Sequence, residues 1–189
     1  MRDQKVTAGK GGAGFTLVGE RREWQGRVVS LSVAQIKAPD GSMYEREIIR
    51  HPGAAVVVPL DGGNVIMIRQ YRAAVNREML EIPAGKLDEA GEPPEVAAQR
   101  ELEEEIGKRA GRLDLLAVFH NSPGFCDEIT HCYLATDLVD AGRSPHSVEE
   151  QHMAIETIDL ADVPGLVAAG ELMDAKSIAG LMLARERLG

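Results

Sequence analysis

Residues 54–60 form an unbroken apolar run with three adjacent valines, and Asp61-Gly62-Gly63-Asn64 separates it from Val65-Ile66-Met67-Ile68-Arg69-Gln70-Tyr71. Branching at Cβ stiffens χ1 and favours extended backbone, so valine and isoleucine in this density read as strands. A short apolar run without alternation reads as a buried strand, and the Asp-Gly-Gly-Asn cluster supplies the turn of a hairpin. A chain containing this pair of strands is committed to a sheet.

The surrounding sequence extends that sheet. Strands are expected at 28–34 and 44–50, joined by the turn former Pro39-Asp40-Gly41, and further strands at 113–119, 129–136 and 153–158. Pro93 and Pro94 open a helix whose apolar positions Ala98, Leu102 and Ile106 are spaced by four, with Gly107 suited to its C-terminal cap. Two more helices are expected, over 160–169 and 175–188. The fold class is therefore α+β, a mixed β-sheet packed between helices, with an N-terminal β-rich segment. At 189 residues, against roughly 150 per domain, the expectation is one domain over 15–189 preceded by a flexible tail. The tail, residues 1–14, is glycine-rich and almost without apolar side chains. Its Lys10-Gly11-Gly12-Ala13-Gly14-Phe15-Thr16 is no phosphate loop, since Phe15 stands where the phosphate-binding lysine belongs and no strand precedes it.

Charge narrows the partners. Lys and Arg number 21 and Asp and Glu 30, a net charge of −9, which repels nucleic-acid backbones unless a divalent cation intervenes. The longest apolar run, seven residues, falls far short of the roughly 20 that span a bilayer, and Arg2, Asp3, Gln4 and Lys5 lead into no signal-peptide core. Cys126 and Cys132 are too few for a disulfide framework, and with His131 they match no zinc spacing. The expected setting is cytoplasmic, with no membrane and no nucleic acid as partner. His120 and His152 read as packing or surface side chains.

The chemistry concentrates in Arg100-Glu101-Leu102-Glu103-Glu104-Glu105-Ile106-Gly107. On a helix, Glu101 and Glu105 lie about 40° apart and one turn apart in height, with Glu104 on the same side. Like charges at this spacing repel, and late in a helix they also oppose the macrodipole. A hard divalent cation, which prefers carboxylate oxygen and commonly bridges to phosphates, offsets both effects. A solvated acidic face, helped by Arg100 four residues before Glu104, is the alternative.

Upstream stand Glu81-Ile82-Pro83-Ala84-Gly85-Lys86-Leu87-Asp88 and Glu92, with seven residues between Glu92 and Arg100. Together with Arg100-Glu101-Leu102, Glu104-Glu105 and Gly107 this resembles the Nudix box. Two departures occur: six residues rather than five separate Gly85 from Glu92, and Lys108 replaces the final aliphatic residue. The insertion falls in the loop before the helix, so the helix glutamates keep their mutual geometry. The resemblance implies a Nudix-type α/β/α sandwich and hydrolysis of nucleoside diphosphate derivatives. It implies Mg²⁺ or Mn²⁺ on Glu101 and Glu105, with the Ala84 carbonyl completing the site and Glu104 adding a metal or water contact. Glu92 and Arg100 become its supporting residues, the guanidinium orienting a carboxylate.

Further features resemble the ADP-ribose pyrophosphatases of the ADP-sugar group, particularly the actinobacterial type. Arg69-Gln70-Tyr71-Arg72 precedes Glu81 and its Ile-Pro-Ala-Gly run, with Arg72 placed to reach a phosphate; Pro123 follows Lys108 by fifteen residues; and 143–153 is an acidic loop before a strand. The implied substrate residues are Arg69, Arg72, Glu81 and Pro123, and the implied general base is a loop glutamate. Taking Met153 and Ile155 as inward strand residues puts Glu149 at that position, with Glu150 the alternative. Trp24, the sole tryptophan, lies in a segment that in similar enzymes contributes to a dimer and stacks on adenine from the partner subunit; packing in the core or the interface is the alternative. The resemblance thus implies a homodimer using residues 15–50, and cleavage of ADP-ribose to AMP and ribose 5-phosphate. Alternatives are another Nudix substrate such as NADH, FAD or an 8-oxo nucleotide, or a non-catalytic Nudix sensor, from which the retained Glu101, Glu104 and Glu105 argue away.

Overall fold

The computed structural model describes residues 9–145 and 147–189. The chain divides into two compact units, one built from residues up to 52 together with 122–128, the other from 53–121 and 129–189.

The first unit is an antiparallel meander of β1 (Gly9–Lys10), β2 (Thr16–Gln25), β3 (Ser30–Lys37) and β4 (Met43–Arg50) in that spatial order. Asp40 Oδ1 accepts the Ser42 N–H at 2.9 Å in the β3–β4 turn. Segment 122–128 docks on the end of β4: the Ile49 N–H donates to the Phe125 carbonyl at 2.8 Å, and Arg50 pairs with Glu20 and Asp127. Part of the stretch expected as a tail lies outside the described residues, 1–8; Gly9 and Lys10 pair with Leu17 and Thr16.

The second unit holds β5 (Ala54–Asp61), β6 (Asn64–Arg72), β7 (Arg77–Glu81), β8 (Ala84–Lys86), α1 (Pro94–Ile106), β9 (Lys108–His120), β10 (Ile129–Asp140), α2 (Val148–His152), β11 (Ala154–Asp159), α3 (Val163–Ala168) and α4 (Ala175–Leu188). The strands lie in the order β11-β6-β5-β10-β9, with β7 also on β6 and β8 also on β5. Only β5 and β10 run parallel, so the sheet is mixed. The expected hairpin closes through Gly62 and Gly63, with Leu60 opposite Val65 and Asp61 opposite Asn64.

Strand alternation sends successive side chains to opposite faces, and both faces are covered. Val56, Val58, Val65 and Met67 pack with Leu172, Leu181 and Ala184, whereas Ala55, Val57, Ile66 and Ile68 pack with Ala97, Ala98, Leu102 and Ile106 of α1. This helix–sheet–helix layering is the expected sandwich. The helix expected over 160–169 is split: a 3-10 turn at Leu160–Asp162 leads into α3, with Pro164 in its first turn. Residues expected as an acidic loop contain the short helix α2, whose cap Ser147 accepts the Glu150 N–H at 3.1 Å. Among the described residues, no helix is long and apolar enough to cross a membrane. Cys126 and Cys132 are free thiols, and burial in the core pushes Cys132 up to about 12.

Candidate active site

Helix α1 begins with Pro94 in its first turn, where a missing N–H costs nothing, and ends at Gly107, whose left-handed φ of 66° closes the cap. Its buried face carries Ala97, Ala98, Leu102 and Ile106, and also Glu101 and Glu105. Two carboxylates are thus held among apolar side chains because they share the stripe that must pack on the sheet. Glu105 is 3% exposed and its Oε2 accepts the Ala84 N–H at 2.9 Å. Burial, then the charge of Glu101, pushes the Glu105 carboxyl up to about 8; burial likewise raises Glu101.

Strand β8 passes directly against these groups. A Cβ on Gly85 would fall 1.8 Å from the Glu101 carboxylate, so only glycine allows this approach. Arg100 organises the outer side: Nε and Nη2 each lie 3.1 Å from a Glu92 oxygen, while Nη1 lies 2.6 Å from Glu101 and 3.1 Å from Glu104. The pair with Glu92, and then the other two carboxylates, hold the guanidinium firmly protonated.

These residues suit a hard cation in chemistry. The side-chain donors are carboxylate oxygens, with Glu101 and Glu105 buried, and a divalent ion would favour the ionised form of these two groups, whose pKa burial raises. Among the described residues, no three His, Cys, Asp or Glu side chains already surround one point. Arg100 Nη1 bridges Glu101 and Glu104, so their oxygens face a guanidinium.

The loop after β10 caps α1. The Ala141 N–H donates to the Gly107 carbonyl at 2.9 Å, Arg143 Nε donates to the Glu105 carbonyl at 2.7 Å, and Arg143 Nη2 donates to the Glu150 carbonyl. A cation there complements the negative helix end, and Arg143 ties α1 to α2. Sequence reading missed Arg143, for which no local pattern signals a reach of 38 residues. Of the two candidate bases, Glu150 is partly buried, accepts from Ser147 Oγ at 2.7 Å, and is among the charges acting on Glu101 and Glu105; Glu149 is exposed. The alignment that favoured Glu149 required Met153 and Ile155 to face inward. Met153 is buried but Ile155 is 44% exposed, on β11 at the edge of the sheet beside β6.

Arg69 and Arg72, three residues apart on β6, lie on opposite faces. Arg72 shares the face of Ile66 and Ile68 toward α1, and Glu105 is among the charges acting on it. Its Nε and Nη2 each lie 2.7 Å from Glu81. Arg69 shares the face of Val65 and Met67 and pairs with Glu156 at 2.5 and 3.1 Å, so the structure does not bring it to the carboxylate cluster. Glu81 is 2% exposed; burial alone raises its pKa, yet Arg72 and Lys176 outweigh burial and leave it lowered. Lys176 was also missed, since it lies 95 residues from Glu81. Trp24 and Pro123 belong to the first unit, where the Trp24 ring closes over Gly26 and its side chain is 57% exposed.

The NUDIX domain family profile matches residues 49–179. An ADP-ribose pyrophosphatase of Bacillus subtilis (strain 168) is 40% identical over 161 residues, 85% of this chain and 86% of that protein. An ADP-ribose pyrophosphatase of Mycobacterium tuberculosis (strain ATCC 25618 / H37Rv) is 39% identical over 158 residues, 83% and 76% of the two chains. In fold, the chain is similar to a crystal structure of an ADP compounds hydrolase, with a TM-score of 0.81 at 23% identity, covering 92% of this chain and 94% of that one. With the profile spanning Glu81, Gly85, Glu92, Arg100, Glu101, Glu104 and Glu105 together, this chain belongs to the NUDIX family.

Proposed function

We propose that this chain is a divalent-metal-dependent pyrophosphohydrolase that cleaves ADP-ribose, and other ADP-sugars, to AMP and ribose 5-phosphate. The observation that carries this reading is the pair of buried carboxylates, Glu101 and Glu105, held against the glycine backbone of β8 beside Arg72. The two ADP-ribose pyrophosphatase relatives support the choice of substrate.

Glu101, Glu105 and Glu104, with the Ala84 carbonyl, are the residues that would hold Mg²⁺ or Mn²⁺. Bound there, such a cation would supply neutralising charge for the diphosphate and a lowered pKa for water. Arg100 positions Glu101 and Glu104 through its Nη1. Glu150 serves as general base, taking the proton of a water whose oxygen bonds to one phosphorus while the bridging P–O bond breaks. Arg72 donates to the diphosphate from its Glu81 support. Pro123 and Trp24 are substrate residues on the strength of the family resemblance alone, and Arg69 acts through its pair with Glu156. A cation held there would also offset the repulsion between a chain of charge −9 and an anionic substrate. The protein works in the cytoplasm as a homodimer joined through its N-terminal strands.

Incubation with Mg²⁺ or Mn²⁺ against ADP-ribose, ADP-glucose, NADH, FAD and 8-oxo-dGTP, with products separated by chromatography, tests the reading. AMP and ribose 5-phosphate formed fastest from ADP-ribose is the expected result. Faster cleavage of another member reassigns the substrate, and no turnover with either metal removes the enzyme reading.

A further inference from the structure

Arg72 belongs to a cluster of four charged side chains with Glu81, Asp174 and Lys176. Lys176 Nζ, in the first turn of α4, lies 2.6 Å from Glu81 Oε2 and 2.9 Å from Asp174 Oδ1. Arg72 grips the same Glu81 side-on through Nε and Nη2. Two carboxylates and two cations sum to zero, which is how a carboxylate as buried as Glu81 stays ionised. The side-on grip uses two of the three guanidinium nitrogens, leaving Nη1 with both N–H groups for another acceptor. Glu81 is enclosed, whereas the Arg72 side chain is 42% exposed, so Arg72 is the open member of the cluster.

We propose that Lys176 is a positioning residue for diphosphate recognition, fixing Glu81 so that Glu81 in turn fixes the Arg72 guanidinium for the substrate phosphate. The inference rests on the pyrophosphohydrolase reading and adds to it a residue from the helix on the other side of the sheet. Without Lys176, Glu81 keeps one cationic partner, and burial then favours the protonated acid. A protonated carboxyl presents a hydroxyl to one arm of the fork, and the paired grip on Arg72 loosens. A plain anchoring role for Lys176, holding α4 to the end of β7, would lower stability and leave substrate recognition alone.

The test places Lys176→Met and Lys176→Arg in the wild type and in an Arg72→Ala background. Binding of the α,β-methylene analogue of ADP-ribose is measured by calorimetry and turnover of ADP-ribose by steady-state kinetics. In the wild-type background, Lys176→Met weakens analogue binding and raises KM about tenfold, with kcat changed less than about threefold. Lys176→Arg recovers most of the loss. In the Arg72→Ala background, Lys176→Met adds less than about twofold, because the two residues act through one path. An equal loss in both backgrounds, or a fall in kcat with KM unchanged, overturns the inference while the pyrophosphohydrolase reading stands. If the Met variant does not fold, Lys176→Gln, which keeps length and a donor without charge, carries the same comparison. Preferential cleavage of a different nucleoside diphosphate by the wild type fails the substrate reading instead, and the coupling is then measured with that compound.

Discussion

Glu105 carries two opposed duties. As a buried carboxylate elevated to about 8 it opposes folding of the metal-free chain, since an unfolded glutamate titrates near 4.5. Between these values the folded state binds more protons than the unfolded, so stability falls as pH rises from about 4.5 to about 8 and the full penalty stands above 8. In EDTA, Glu105→Gln is expected to raise thermal stability at pH 9 by about 1–3 kcal/mol and to change it little at pH 4.5. The same substitution is expected to lower turnover at least a hundredfold, on the order of losing a metal ligand. Melting curves at the two pH values beside a kinetic assay check both; an equal shift at both pH values would discard the buried-charge account. Gly85→Ala tests the neighbouring contact. With its Cβ 1.8 Å from Glu101, the variant must push the carboxylate or β8 aside, and turnover is expected to drop at least tenfold for a stability loss of about 1–3 kcal/mol. Wild-type kinetics in a folded variant would refute the close approach. At this scale Glu101 and Glu105 were legible in the sequence because helical spacing is local. Lys176 and Arg143 were not, because each reaches its carboxylate or carbonyl from far along the chain.

The N-terminus of α4 is pinned by one hydroxyl. Ser177 Oγ accepts the Ile82 N–H at 2.9 Å and donates to Asp174 Oδ2 at 2.5 Å, with Ser177 fully buried. Ser177→Ala leaves the Ile82 N–H buried without an acceptor and should cost about 1–3 kcal/mol. Ser177→Thr retains the hydroxyl, so denaturant melts that rank alanine well below threonine are expected; equal losses would mean that volume, not the hydrogen bond, matters at this site. The elements that the sequence made legible share this local character: the 54–71 hairpin has its turn residues, and α1 has its prolines and its Gly107. Strand β2 was missed because register shifts between Leu17 and Gly19 and between Arg22 and Trp24 interrupt its alternation. Strands β7 and β8 and helix α2 span five, three and five residues, too few for a period to emerge.

The first unit exposes Val18, Trp24 and Met43 on an antiparallel meander that bears none of the candidate metal ligands, with Phe15 exposed just before β2. Single exposed apolar residues are ordinary, but three on one small sheet suit a surface that meets a second copy of the chain. The sole tryptophan makes this testable without a label. In a homodimer joined through these strands, Trp24 is shielded from acrylamide at micromolar concentration, and its emission moves to longer wavelength on dilution as the copies part. Sedimentation should give about twice the 20.4 kDa chain mass, and Trp24→Glu should return the mass of a single chain. Because the carboxylate cluster lies wholly in the other unit, this variant is expected to keep the melting behaviour of the Glu105 site in EDTA, including its fall in stability between pH 5 and pH 9. A wild-type chain that sediments as a monomer with a fully quenchable tryptophan would end the dimer proposal and leave the metal-site predictions untouched.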